Sequence, residues 1–165
     1  MSIYREMGFT PQKEHASEAA LYNIARTFTL LNRLFQRHYA RFDLTPAKLN
    51  VLMLVKHVGG DEGLPQREIA KRLIISGSDV TGLIDRLERE GLLTRRGASS
   101  DRRVKLITIT PKGSALLDTL WPAHIERAEQ AMSSLSKREQ GQLIGLLTKL
   151  RAKLQHTDGT EADHA

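Results

Sequence analysis

The sequence predicts a mainly α-helical protein with one small β-wing, and three observations predict it. First, residues 65–110 hold a short helical stretch, a break at Ile74-Ile75-Ser76 and a second helical stretch from Ser76; two β-branched runs around a turn follow. Second, apolar positions recur at helical steps on both flanks. They are Leu21, Ile24, Phe28, Leu31, Phe35, His38 and Phe42 before this stretch, and Leu143, Leu147, Leu150 and Leu154 after it. Third, residues 86–105 carry seven Lys or Arg side chains against three carboxylates, most of the +6 excess of the whole chain. Together these outline a winged helix-turn-helix with N- and C-terminal dimerisation helices.

The elements follow in order. Residues 1–13 lack periodicity and read as a flexible arm. Residues 14–44 form a long helix whose seam, widened by Leu30, Leu34 and Tyr39, is too broad for one partner surface. Residues 45–110 make the reading module. Thr45 caps its first helix and Pro46 occupies the first turn, where a missing N–H costs nothing. Leu49, Leu52 and Met53 on one side and Val51, Leu54, Val55 and Val58 on another make that helix apolar nearly all round, and Gly59-Gly60 ends it. Asp61 to Leu64 is a linker or a very short strand. A helix from Pro65 to about Leu73 turns Ile69, Ala70 and Leu73 inward. The next, capped by Ser76, buries Val80, Leu83, Ile84 and Leu87 and stops at Gly91. Strands at 92–96 and 104–110 flank a polar turn. Residues 111–155 form C-terminal dimerisation helices, with a kink or break at Trp121-Pro122 and a capping box at Ser136-Lys137-Arg138-Glu139. Residues 156–165 read as a disordered tail.

Composition excludes several classes. With 165 residues, 40% hydrophobic and 27% charged, the chain is ordinary globular material. No apolar run approaches the ~20 residues of a membrane helix, and no apolar signal core opens the chain, so the cytoplasm is expected. Without cysteine there is no disulfide, thiolate nucleophile or Cys-ligated zinc. The six histidines include no i, i+4 pair, so neither a metal nor another cofactor is expected. Nucleophile elbow, phosphate loop and paired carboxylates are all missing, which speaks against an enzyme.

A helix fits the DNA major groove, and the second helix of a helix-turn-helix presents its exposed N-terminal side there. With the four apolar residues inward, Ser76, Gly77, Ser78, Asp79, Thr81, Gly82 and Arg86 face outward. Small first-turn residues let the backbone approach base edges. Asp79 is either a cap or an acceptor for a cytosine amino group. Arg86, further along, suits a phosphate. Arg95, Arg96 and Lys105 make the hairpin basic, and Arg102 or Arg103 at its tip suits a narrow, A·T-rich minor groove. Asp101 faces repulsion from phosphate and is assigned to holding one of these arginines.

These residues also carry a resemblance. Residues 76–93, SGSDVTGLIDRLEREGLL, resemble the recognition helix of MarR-type regulators. Asp101-Arg102-Arg103 resembles their wing signature, Thr108 to Gly113 their strand-to-helix junction, and Leu44-Thr45-Pro46 the start of their second helix. The resemblance spans residues 21–154. It implies an obligate homodimer, triangular in outline, with interleaved terminal helices. It also implies double-stranded DNA bearing a pseudo-palindromic operator, usual repression, and frequent release by a small aromatic or phenolic ligand. On this mapping Ser78, Thr81 and Gly82 face bases, and Asp101 with Arg103 forms the wing pair. Gly82 stands where the family commonly has a larger side chain.

An effector site has three candidates. His38 sits in the apolar seam. It is either a core histidine satisfied by one hydrogen bond or part of a crevice between the dimer helices and the reading module, with Arg41 as counter-charge for an anionic ligand. Trp121 is either a pocket wall or a hydrophobic anchor beside Pro122. Two other readings stand beside the ligand-released repressor. One is a ligand-independent DNA-binding protein, architectural or activating. The other is a helical adaptor whose basic face meets an acidic protein.

Overall fold

The structure is a computed structural model, and it describes residues 2–73, 80–97 and 104–161. The chain divides into two compact units, Met1–His124 and Ile125–Ala165. The first holds the reading module and its core.

The N-terminal segment departs from the flexible arm predicted for residues 1–13. Ile3–Glu6 forms helix α1, and Tyr4 is almost fully buried. Its ring meets Phe9 and Tyr22 edge-on, and its hydroxyl donates to Glu18 over 3.0 Å. One aromatic side chain with a satisfied hydroxyl anchors a segment too short to show periodicity. Helix α2 follows at Ala16–Tyr39, and a 3-10 turn at Ala40–Phe42. The predicted seam divides along its length. Leu21, Ile24 and Phe28 are exposed, whereas His38 is buried and Phe35 packs against the core.

Helix α3 spans Pro46–Leu54. Thr45 caps it, its hydroxyl accepting from the Lys48 N–H at 3.2 Å. A π-helical turn, Val55–Gly59, continues it. The wider turn rotates the following side chains, and Val58, predicted to be core, is 52% exposed. Strand β1 is Leu64–Pro65. Helix α4, Gln66–Arg72, buries Ile69 and leaves Ala70 exposed, contrary to its expected inward position. A methyl group contributes too little apolar surface to fix a helix's rotation.

Helix α5, Val80–Arg89, buries Val80, Leu83, Ile84 and Leu87, the four residues its periodicity predicts. Each stabilises by about 2 kcal/mol on burial. Gly91 adopts φ +71°, the left-handed stop. Strands β2, Leu93–Gly97, and β3, Lys105–Ile109, pair antiparallel with Arg95 opposite Ile107. β1 adds to the other edge of β3, giving sheet order β1-β3-β2.

Helix α6, Pro111–Ala131, is one continuous element, so Pro122 does not split it. The carbonyl that Pro122 leaves without a donor belongs to Asp118, an exposed residue that water can serve. Thr110 caps α6 as predicted, accepting from the Gly113 N–H at 3.0 Å.

In the second unit Ser136 and Glu139 close the predicted capping box. The Glu139 N–H donates to Ser136 Oγ at 3.3 Å, and the Ser136 N–H to the Glu139 carboxylate at 2.8 Å. Helix α7 runs Lys137–Glu161, past residue 155, where a disordered tail was expected to begin. Nearly every residue from 137 to 155 is exposed, Ile144 by 66% and Leu146 by 68%. A helix in water draws its stability from a packed apolar face, and α7 has no such face covered within its unit.

Candidate nucleic-acid interface

Burial of one side of α5 fixes what the other side presents. Thr81, Asp85, Arg86 and Arg89 are exposed and Gly82 is half-buried. Arg86 lies along the helix, its Nε donating to the Gly82 carbonyl at 3.2 Å. The Thr81 hydroxyl accepts from Gln66 Nε2 of α4 at 2.8 Å. Ser76, Gly77, Ser78 and Asp79 lie outside the described residues, as do Asp101, Arg102 and Arg103.

Arg95 requires a correction. Its charge places it with the DNA-facing arginines, but its guanidinium is ion-paired to both Asp85 and Glu88. Its backbone N–H donates to the same Glu88 carboxylate at 3.1 Å. Half-buried and twice paired, Arg95 ties strand β2 to helix α5 and so fixes the wing against the recognition helix. Charge counting missed this because it ignores partners brought together by the Gly91 turn. Arg95→Ala removes the tie and leaves two carboxylates facing each other beside the surface that must approach phosphate. Operator affinity is expected to fall by at least tenfold while the thermal midpoint drops by only a few degrees. Unchanged affinity in a DNA-binding titration would contradict the tie.

Arg96 and Lys105 remain on the wing surface. Arg96 Nη2 donates to the Asp61 carbonyl at 2.5 Å, linking the wing to the turn before β1. Pro65, Gln66, Arg67, Val104 and Lys105 line a cleft of about 340 Å³ between the start of α4 and the wing. Gln66 and Arg67 had no place in the charge-and-helix pattern that marked α5.

The three effector candidates are distributed unevenly. His38 is buried edge-on to Tyr39 and Phe42, whereas Arg41 is exposed. The Trp121 ring lies 4.8 Å from that of His124, tilted by 30°. His124 Nδ1 lies 2.9 Å from the Tyr39 hydroxyl. Burial pushes Tyr39 up to about 12, and burial together with the neighbouring His38 holds His124 below the usual imidazole range. Both shifts favour the uncharged forms, so the phenol and the imidazole share one hydrogen bond across this contact. Crevices flank this aromatic row. One, of about 180 Å³, lies among Phe28, Leu31, Asn32, Phe35, Tyr39, Pro46 and Asn50. Another, of about 280 Å³, is walled by Trp121, Met53 and Leu117, with the Lys56–Asp118 ion pair at 2.5 Å. The pairing of Tyr39 with His124 is not legible in the sequence, because the two lie 85 residues apart.

Among the described residues no helix is long and apolar enough to cross a membrane, and no three His, Asp or Glu side chains are grouped to hold a metal ion.

Two successive helices, α4 and α5, with a three-stranded wing and a basic outward face define a DNA-binding protein of the winged-helix class. A sequence profile of the MarR family matches residues 42–104. The regulator MhqR of Bacillus subtilis is 30% identical over 135 residues, covering 81% of this chain and 91% of that one. The chain belongs to the MarR family and is a transcriptional regulator rather than an enzyme. Two solved structures share its fold. BpsR of Bordetella bronchiseptica, whose DNA binding is regulated by 6-hydroxynicotinic acid, is 26% identical, with a TM-score of 0.74, over 84% of this chain and 97% of that one. MepR of S. aureus, solved with DNA, is 28% identical, with a TM-score of 0.70, over 81% and 94%.

Proposed function

We propose that the protein is a homodimeric cytoplasmic repressor that sits on a pseudo-palindromic operator and leaves it when a small aromatic or phenolic ligand binds. The uncovered apolar surface carries the dimer. Leu21, Ile24 and Phe28 on α2, and Ile144, Leu146 and Leu154 on α7, are 40–68% exposed. A second copy covers such faces by symmetry, each patch serving both subunits. In this reading Ser78 and Thr81 address bases, Arg86 a phosphate, and the Arg102–Arg103 tip the minor groove, with Asp101 holding one arginine.

The crevices beside Tyr39 and Trp121 support a flat, apolar ligand with one or two polar groups, as does the hydroxynicotinic acid named for BpsR. Release follows if the ligand prefers a dimer whose reading heads are misplaced for the operator; the affinity lost equals that preference. The test is a titration of operator DNA with the purified protein, with and without 6-hydroxynicotinic, hydroxybenzoic and related aromatic acids. At least one is expected to weaken binding by roughly fivefold or more, the low end of allosteric coupling. Uniform indifference to the whole panel would favour ligand-independent binding. Failure to bind any defined DNA would favour the protein adaptor.

A further inference from the structure

We propose that Gln66 is a positioning residue for sequence readout: it fixes the Thr81 hydroxyl so that Thr81 faces the base edge as a hydrogen-bond donor. This rests on the reading that Thr81 addresses bases. Gln66 opens α4 and Thr81 lies in α5, so the 2.8 Å bond joins two elements, 15 residues apart in sequence. Thr81 is exposed and Gln66 half-buried. The fold does not need this bond, because Ile69 of α4 and Ile84 and Leu87 of α5 are fully buried.

The chemistry lies in the hydroxyl's capacity. A threonine oxygen has one hydrogen to give and two lone pairs to receive. Unconstrained, it pairs with either kind of base edge and discriminates weakly. The Gln66 N–H occupies one lone pair and fixes the χ1 rotamer, leaving the O–H to point outward. A donor selects purine N7, guanine O6 or thymine O4 over the amino groups of adenine and cytosine. The surroundings favour DNA at this spot, since the cleft that Gln66 lines also carries the cations Arg67 and Lys105.

The experiment measures the full-length protein against its selected operator and against every single-base-pair variant of one half-site. Thr81→Ala is expected to remove discrimination at one base pair. Gln66→Ala should reduce discrimination at that same pair about three- to tenfold, the worth of one hydrogen bond, with the thermal midpoint unchanged. The double variant should match Thr81→Ala alone. Gln66→Glu can only accept, so it turns the Thr81 O–H inward and shifts the preference at that pair toward amino-bearing edges. Arg67→Ala should weaken all sequences together.

Opposite outcomes separate the two layers. If Thr81→Ala changes no preference, the base-reading role of Thr81 falls and the positioning role falls with it. If Thr81→Ala changes one pair while Gln66→Ala changes none, or a different one, Thr81 reads bases without help from Gln66, and the positioning role alone is overturned.

Discussion

Phe28→Glu is expected to give a folded monomer that binds the operator roughly a hundredfold or more weakly. Phe28 is 58% exposed on α2, with Ile24 one turn and Leu21 two turns away, also exposed. In a symmetric dimer each substitution appears twice, so two carboxylates enter an apolar contact and each must be desolvated. Within the subunit the change costs little, because this half of α2 stands clear of the buried core. The larger loss comes from bivalency. A dimer presents its second reading head at high effective concentration, and that advantage is typically 10²- to 10⁴-fold. Sedimentation and operator titration of the same sample check both halves of the expectation. A Phe28→Glu protein that stays dimeric would move the interface off α2, and a monomer with undiminished affinity would remove the need for a dimer.

Gly113→Ala is expected to destabilise the fold by about 3 kcal/mol, a fall in the thermal midpoint of about 10 °C for a chain this size. Helix propensity alone predicts the reverse, since alanine is favoured over glycine by about 1 kcal/mol. Packing decides the sign. A Cβ at 113 would lie 2.3 Å from the Leu92 carbonyl oxygen and 2.9 Å from Ile109 Cγ1. The Leu92 carbonyl cannot easily retreat, because it accepts from the Thr110 N–H at 3.1 Å in the junction that caps α6. This glycine lets the start of α6 press onto the turn after α5, which seats the wing. Calorimetry checks it; a stabilised Gly113→Ala protein would mean that the junction yields more readily than its hydrogen bonds imply.

Local rules carried most of the architecture. The 3.6-residue period of Val80, Leu83, Ile84 and Leu87 fixed the buried side of α5. Side-chain oxygens at Thr45, Thr110 and Ser136 marked helix starts because a cap is a contact within four residues. Longer-range geometry was hidden. The Tyr4 anchor of α1, the tie from Arg95 to Asp85 and Glu88, and the Gln66–Thr81 bond each join segments whose approach depends on the folded turns between them. Seam spacing showed that α2 has an apolar face, but not that its second half packs inside the subunit while its first half stays open. Of the predicted DNA-facing residues, Thr81, Gly82, Arg86, Arg96 and Lys105 lie on the surface of α5 and the wing, and Arg95 serves the fold instead.

Two identical heads, held by the α2 and α7 faces, are proposed to read two copies of one half-site. Selection of bound sequences from a random double-stranded DNA pool tests it most directly. The expected result is an inverted repeat whose half-site centres lie about one helical turn apart, on the order of 10 base pairs. Enrichment of a single unrepeated motif, or of no motif at all, would contradict it.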